Sequence, residues 1–216
     1  MPANNHTVIL GAGDFPSSPQ ALAVLKSAGY LCCCDDAGKE YIERLNSGQL
    51  DGCRMPDAIV GDGDSLPQEF KERYADIYHE VAEQDFNDLT KATRFCMEQG
   101  FTDICYLGIT GKREDHTIAN IGFIAFFKHT LGIEPTVVTD YGTFTVHLGD
   151  TTLETFPRQQ VSIFNLSCTQ FSSQGLKWDC YAYRELWQGA LNEALGSTIT
   201  FHADGEYIVF RTHLPK

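Results

Sequence analysis

Ala58-Ile59-Val60-Gly61-Asp62-Gly63-Asp64-Ser65-Leu66-Pro67 is the stretch from which the rest of the chain can be read. Apolar residues suited to a buried strand give way to alternating glycine and aspartate, and Pro67 is tolerated in the first turn of a helix. This is a strand-to-helix turn. Gly61 and Gly63 permit a tight backbone with exposed amides, so Asp62 and Asp64 can face a cation and Ser65 a phosphate oxygen. A plainer alternative makes Asp62 a turn former and Ser65 a helix cap.

The same alternation recurs on both sides of this turn. Apolar runs at 7–10, 30–34, 58–60, 77–81, 104–107 and 136–139 predict strands, and the periodicities at 18–28, 39–46, 67–74, 88–99 and 115–131 predict helices. Repeated strand and helix units imply an α/β fold over residues 1–140, with an N-terminal, mostly parallel sheet flanked by helices. From 141 to 216 the pattern shortens to alternating runs at 143–148, 160–166, 198–202 and 207–211, which predict a smaller C-terminal antiparallel β domain. Asp204-Gly205, between the last two runs, is a hairpin signal.

Parallel sheets bind ligands beyond the carboxyl ends of their strands, and two more acidic clusters fall there. In Gln84-Asp85-Phe86-Asn87-Asp88-Leu89-Thr90-Lys91, the residues Asp85, Asp88 and Lys91 are spaced by three and can share one face where a helix begins. Early aspartates also stabilise a helix start through its macrodipole, at about 0.3–1 kcal/mol each. In Thr110-Gly111-Lys112-Arg113-Glu114-Asp115-His116, a flexible loop ends in two cations suited to phosphate, and His116 and Asn120 lie on one helical face. The plainer alternative makes Asp115 a helix cap and His116 a solvated residue. Together the clusters describe a site for a divalent cation and phosphate. Standard nucleotide fingerprints fail: Pro16 stands where Gly11-Ala12-Gly13 would need a third glycine, and Gly38-Lys39 and Gly111-Lys112 lack the rest of a P-loop.

Composition narrows the class. With 216 residues and 43% hydrophobic content the chain can bury a sizeable core. A net charge of -13 argues against general nucleic-acid or anionic-membrane binding, which needs a basic surface. No segment reaches the roughly 20 apolar residues of a membrane helix. The polar start at 1–7 is unlike a secretory signal, so a cytoplasmic protein is expected. Cys32, Cys33 and Cys34 are consecutive in a predicted strand and no CxxC pair occurs, which fits buried thiols in a reducing compartment.

With these residues in place, the chain resembles the thiamine pyrophosphokinase family. The match is dense from 34 to 123, where Gly61-Asp62-Gly63-Asp64-Ser65, Gln84-Asp85 with Asp88 and Lys91, and Gly111-Lys112-Arg113 with Asp115-His116 and Asn120 follow the family's order. Gly175-Leu176-Lys177-Trp178 and the segment around Asn192 are similar to its later motifs. The chain departs from the family at Asn87, where threonine is common, at Asp36-Ala37, where two glycines are usual, and at Ala190-Leu191, where a serine usually precedes Asn192.

The resemblance implies a catalytic α/β domain joined to a β-sandwich, a homodimer with sites between subunits, and Mg²⁺-dependent transfer of diphosphate from ATP to the hydroxyl of thiamine. It implies that Asp62, Asp64, Asp85 and Asp88 handle metal and nucleotide phosphate, with Asp115 completing the acidic catalytic set. Ser65, Lys91, Lys112, Arg113, His116 and Asn120 would serve the nucleotide. Gln84, Trp178 and Asn192 would belong to the thiamine pocket, Trp178 offering an aromatic face to a cationic ligand or, alternatively, filling the β-domain core. A pyrophosphokinase for another alcohol such as a pterin, and a non-catalytic sensor of thiamine diphosphate or nucleotide, are the competing expectations.

Overall fold

The computed structural model describes residues 6–215, which form two compact units dividing between Pro135 and Thr136. In the first unit β1 (Thr7–Leu10), β2 (Tyr30–Cys34), β3 (Ala58–Gly61), β4 (Tyr78–Glu80) and β5 (Asp103–Leu107) lie in the order β5-β1-β2-β3-β4. Each of these neighbours pairs parallel. Every residue of β1 and β3 is buried, as are Leu31 to Cys34 of β2, because a parallel strand with both faces covered needs apolar side chains at consecutive positions. The three adjacent cysteines meet that need as small apolar side chains. All eight cysteines are free.

The helices follow their local signals closely. In α1 (Pro19–Lys26), Ser18 Oγ accepts from the Ala21 amide at 3.2 Å and Pro19 takes the first turn. The next helix, α2 (Asp35–Asn46), begins directly after β2, earlier than the predicted start at 39, since Asp35 and Asp36 suit the positive end of a helix dipole. α3 (Gln68–Arg73) starts after Pro67 with no side-chain cap, so Ser65 is not its cap. α4 (Asp88–Glu98) is capped by Asn87, whose side chain accepts from the Thr90 amide. In α5 (Glu114–Leu131) the capping position belongs to Arg113, which places Asp115 inside the first turn and rules out the cap role for it.

The second unit opens within β6 (Glu134–Val138). There β7 (Gly142–Leu148), β9 (Gln159–Asn165), β11 (Asn192–Glu193) and β13 (Glu206–Pro215) join it in the antiparallel order β11-β9-β13-β7-β6. A second sheet has the order β10-β12-β8, from β10 (Phe171–Gln174), β12 (Thr198–Ala203) and β8 (Thr151–Glu154). Val161, Ile163, Tyr207 and Val209 of one sheet share a core with Phe171, Ile199 and Phe201 of the other, which makes the unit a sandwich.

The hairpin expected at Asp204-Gly205 does not form. β12 pairs with β8 and β10, whereas β13 pairs with β7 and β9, so this dipeptide carries the chain from one sheet to the other. Its chemistry suits a corner: the Asp204 carboxylate accepts from the Thr169 and Gln170 amides at 2.8 and 2.9 Å, and Gly205 lies so close to Cys168 that a Cβ would come within 2.7 Å of its nitrogen. Among the described residues, no helix is long and apolar enough to cross a membrane.

Candidate functional site

The carboxyl ends of β2 and β3, the start of α4 and the loop after β5 surround a cleft of about 560 Å³. The parallel register sets Cys34 opposite Val60, so the residues that follow, Asp35 and Gly61, end side by side. A Cβ on Gly61 would lie 2.7 Å from Asp35 Cβ, which is why the turn must open on glycine. Asp35 then reaches over the turn, where its Oδ2 accepts from Ser65 Oγ.

Lys91 ties the other two carboxylates together. Its Nζ donates to Asp62 Oδ2 at 2.9 Å and to Asp88 Oδ1 at 3.2 Å, and the residue is only 4% exposed. Asp62 also accepts from Gln84 Nε2 at 3.4 Å and from the Asp64 amide at 3.2 Å. One oxygen each from Asp35, Asp62 and Asp88 lies within 4.8 Å of the others. Asp35 Oδ1 is buried with no hydrogen-bond partner.

The electrostatics separate these groups by burial. The hydrogen bond from Lys91 holds the Asp62 carboxyl below the usual carboxylate range. Burial pushes Asp88 up, against the opposing bond from Lys91. Burial likewise raises Asp35; the Ser65 bond opposes this, while nearby Asp88, Asp62 and Asp36 add to it. Lys91 is raised because its bonds to both carboxylates outweigh its desolvation, so it stays charged. Three convergent carboxylates against one buried ammonium leave net negative charge at the focus. With the unpartnered Asp35 oxygen, this donor set fits a hard divalent cation bound through oxygen. Beneath the turn, burial and then Glu80, Asp35, Asp62 and Asp88 push the Tyr78 hydroxyl up to about 12.

The rest of the cleft wall is held by neutral and basic groups. Asn87 Nδ2 donates to Asn120 Oδ1 at 3.2 Å, and Asn120 Nδ2 donates to the Ile109 carbonyl at 2.8 Å, joining α4 to α5 and to the loop after β5. Lys112 Nζ donates to the Ala12 carbonyl at 2.9 Å and lies 3.6 Å from Glu40. Arg113 pairs with Asp115 at 2.6 Å, both well exposed. His116, Gln84 and Asp85 complete the lining, with Phe86, over which Arg94 stacks at 4.0 Å.

Of the residues singled out from sequence, Asp62, Ser65, Gln84, Asp85, Asp88, Lys91, Lys112, Arg113, His116 and Asn120 come together around this cleft. Asp64 and Asp115 are exposed and outside its lining. Trp178 and Asn192 lie in the second unit. There Trp178 is 55% exposed, which excludes the core alternative, and Lys177 Nζ sits 4.8 Å from its ring centre. Asn192 is buried and spends its side chain on the backbone of Trp178, accepting from its amide at 3.2 Å and donating to its carbonyl at 2.7 Å. Asp35 was not among the sequence candidates. Its signal was the same as for the others, a carboxylate directly after an apolar strand, but without the flanking glycines.

Comparison with known proteins gives these residues a context. Residues 21–134 match the family pattern described as "Thiamin pyrophosphokinase, catalytic domain", and residues 142–210 match "Thiamin pyrophosphokinase, substrate-binding domain". Thiamine pyrophosphokinase 1 of Oryza sativa subsp. japonica is 33% identical over 129 residues, a match that takes in 51% of this chain and 49% of the rice protein. The chain thus spans about half the length of that relative. In fold the chain is similar to the thiamine pyrophosphokinase of Bacillus subtilis, at a TM-score of 0.74 and 20% identity over 95% of this chain and 98% of that one. The Candida albicans enzyme gives a TM-score of 0.77 at 17% identity, covering 97% and 90%. With its catalytic pattern spanning more than half of the residues and its substrate-binding pattern following in order, the chain belongs to the thiamin pyrophosphokinase family.

Proposed function

We propose that this protein is a thiamine pyrophosphokinase, transferring diphosphate from ATP to the hydroxyl of thiamine with release of AMP. The observation that carries the assignment is the convergence of Asp35, Asp62 and Asp88 beside Lys91 at the head of a cleft in the catalytic-domain match. Mg²⁺ is the proposed cation, held by Asp35, Asp62 and Asp88, with Asp64 and Asp85 at the rim; when bound it would neutralise charge developing on the phosphate oxygens.

The remaining work falls to the chain's own side chains. The thiamine hydroxyl oxygen forms a bond to the β-phosphorus of ATP, the bond from that phosphorus to the bridging oxygen of the AMP moiety breaks, and the hydroxyl proton passes to a cleft carboxylate. Little covalent chemistry is needed, so rate should come from alignment and charge compensation. Lys91 holds Asp62 and Asp88 at fixed separation. Lys112, Arg113 and His116 would take the phosphates at the start of α5, with Ser65 and Asn120 on the flanking walls and Asp115 orienting Arg113. For thiamine, Gln84 beside Asp62 is the proposed contact in the first unit; in the second, the exposed face of Trp178, on the backbone that Asn192 shapes, is proposed by itself as an aromatic face for a cationic ligand. A homodimer in a reducing compartment such as the cytoplasm fits the free cysteines and the exposed Trp178, Tyr181, Leu186 and Trp187.

Pure protein incubated with ATP, Mg²⁺ and thiamine should yield AMP and thiamine diphosphate in equal amounts, and Asp62→Asn should lower turnover by at least about 100-fold. AMP without thiamine diphosphate would point to another acceptor. Tight binding with no product would instead make the protein a sensor.

A further inference from the structure

Two buried oxygens of the first unit that lack a hydrogen-bond partner, Asp35 Oδ1 and Tyr78 Oη, lie against glycines of the same turn. Asp35 abuts Gly61. Tyr78 abuts Gly63, where an added Cβ would come 2.0 Å from Tyr78 Oη and 2.5 Å from Lys71 Nζ. The Gly63 backbone has φ of 73°, a conformation open to glycine and costly for other residues, so the turn is shaped to let these two polar ends in. Lys71 is itself placed from two sides, with Nζ 5.7 Å from the centre of the Tyr78 ring and 4.0 Å from Glu80 Oε2. β4 supplies Tyr78, and pairing of Ile59 with Tyr78 and of Gly61 with Glu80 fixes it beneath the turn that carries Asp62 and Asp64.

A buried hydroxyl is seldom left without a partner, because desolvation is not repaid. Small hard cations shed water reluctantly and keep several waters on binding, and those waters need acceptors and donors in the surrounding shell. The unpaired Tyr78 hydroxyl, set against Gly63 of the acidic turn, offers one such donor and acceptor. We propose that Tyr78 is a positioning residue for the cation site, its hydroxyl hydrogen-bonding to a water of the bound cation's outer shell, with Lys71 lying against the ring. This rests on the cation site assigned above and adds to it a group from β4, outside the acidic clusters.

The test uses the full chain and Mn²⁺ alone, without nucleotide, titrated by calorimetry or by the loss of free Mn²⁺ signal in electron paramagnetic resonance. Tyr78→Phe keeps the ring and removes only the hydroxyl. Expected is a Kd for Mn²⁺ raised about tenfold, the lower end for lost outer-shell partners, while the melting temperature of the metal-free protein stays equal or rises. Unchanged affinity overturns the proposal, and so does a lower metal-free melting temperature, which would make the hydroxyl a structural group. If wild-type protein binds no Mn²⁺, the cation site itself is wrong and this inference falls with it; if wild type binds and Tyr78→Phe binds equally, only the inference fails.

Discussion

At the scale of single residues, charge state follows burial, and Asp35 shows the consequence most plainly. Its carboxyl is held above its unfolded-state pKa, so the folded protein binds that proton more tightly than the unfolded chain does. Stability tied to Asp35 is therefore greatest at low pH and is lost as pH rises from about 4 through the folded-state value. Asp62 works in the opposite sense: its depressed pKa gives stability present above the unfolded value and lost as pH falls through the folded one. Asp35→Asn should thus melt higher than wild type in metal-free buffer at about pH 7, with the gap closing as pH falls and the Asp35 carboxyl takes up its proton. The same variant should lose the rise in melting temperature that Mg²⁺ or Mn²⁺ gives wild type. Scanning fluorimetry across that range checks both; an Asn variant that melts lower at neutral pH would show that the charge is compensated by the protein alone. Asp35 escaped the sequence because Cys34-Asp35-Asp36 has no glycine and no turn signal. Asp62 and Asp88 were legible because Gly61, Gly63 and a helix start frame them.

At the scale of elements, the site depends on how closely α2 approaches the sheet. Gly38 faces Ile59 of β3, and a Cβ there would lie 2.8 Å from both Ile59 Cγ1 and Cγ2. Ile59 is fully buried and branched at Cβ, so it has little freedom to move aside. Gly38→Ala should gain about 1 kcal/mol in helix propensity yet destabilise the protein on balance, by about 1–3 kcal/mol from overpacking. Urea unfolding measures the sign, and a stabilised variant would show that α2 can shift without strain. Helices were readable from their 3.6-residue period and the parallel strands from continuous apolar runs, because both are local patterns. The corner at Asp204-Gly205 was not, since a turn residue pair does not say which sheet the next strand joins.

Across the whole molecule the net charge is -13, and three of the carboxylates, Asp35, Asp62 and Asp88, meet at one focus that a cation would neutralise. The second unit carries Trp178, Tyr181, Leu186, Trp187, Leu191 and Leu195 exposed within one short stretch, apolar side chains of the kind that self-association would cover. Sedimentation should accordingly give twice the 24.1 kDa of one chain, and Trp187→Glu should shift the population toward monomer; a wild-type monomer at micromolar concentration would remove the dimer from the proposal. By itself the sequence determined the α/β alternation, the change to short antiparallel strands, and the acidic ends of successive strands, because each is written in neighbouring residues. Only the tertiary structure decided that Asp35 stands beside Gly61, that Lys91 bridges Asp62 and Asp88, and that Asn192 serves the backbone of Trp178. Those outcomes depend on strand register and on contacts between residues far apart in the chain, and no local pattern specifies which distant partner a side chain will meet.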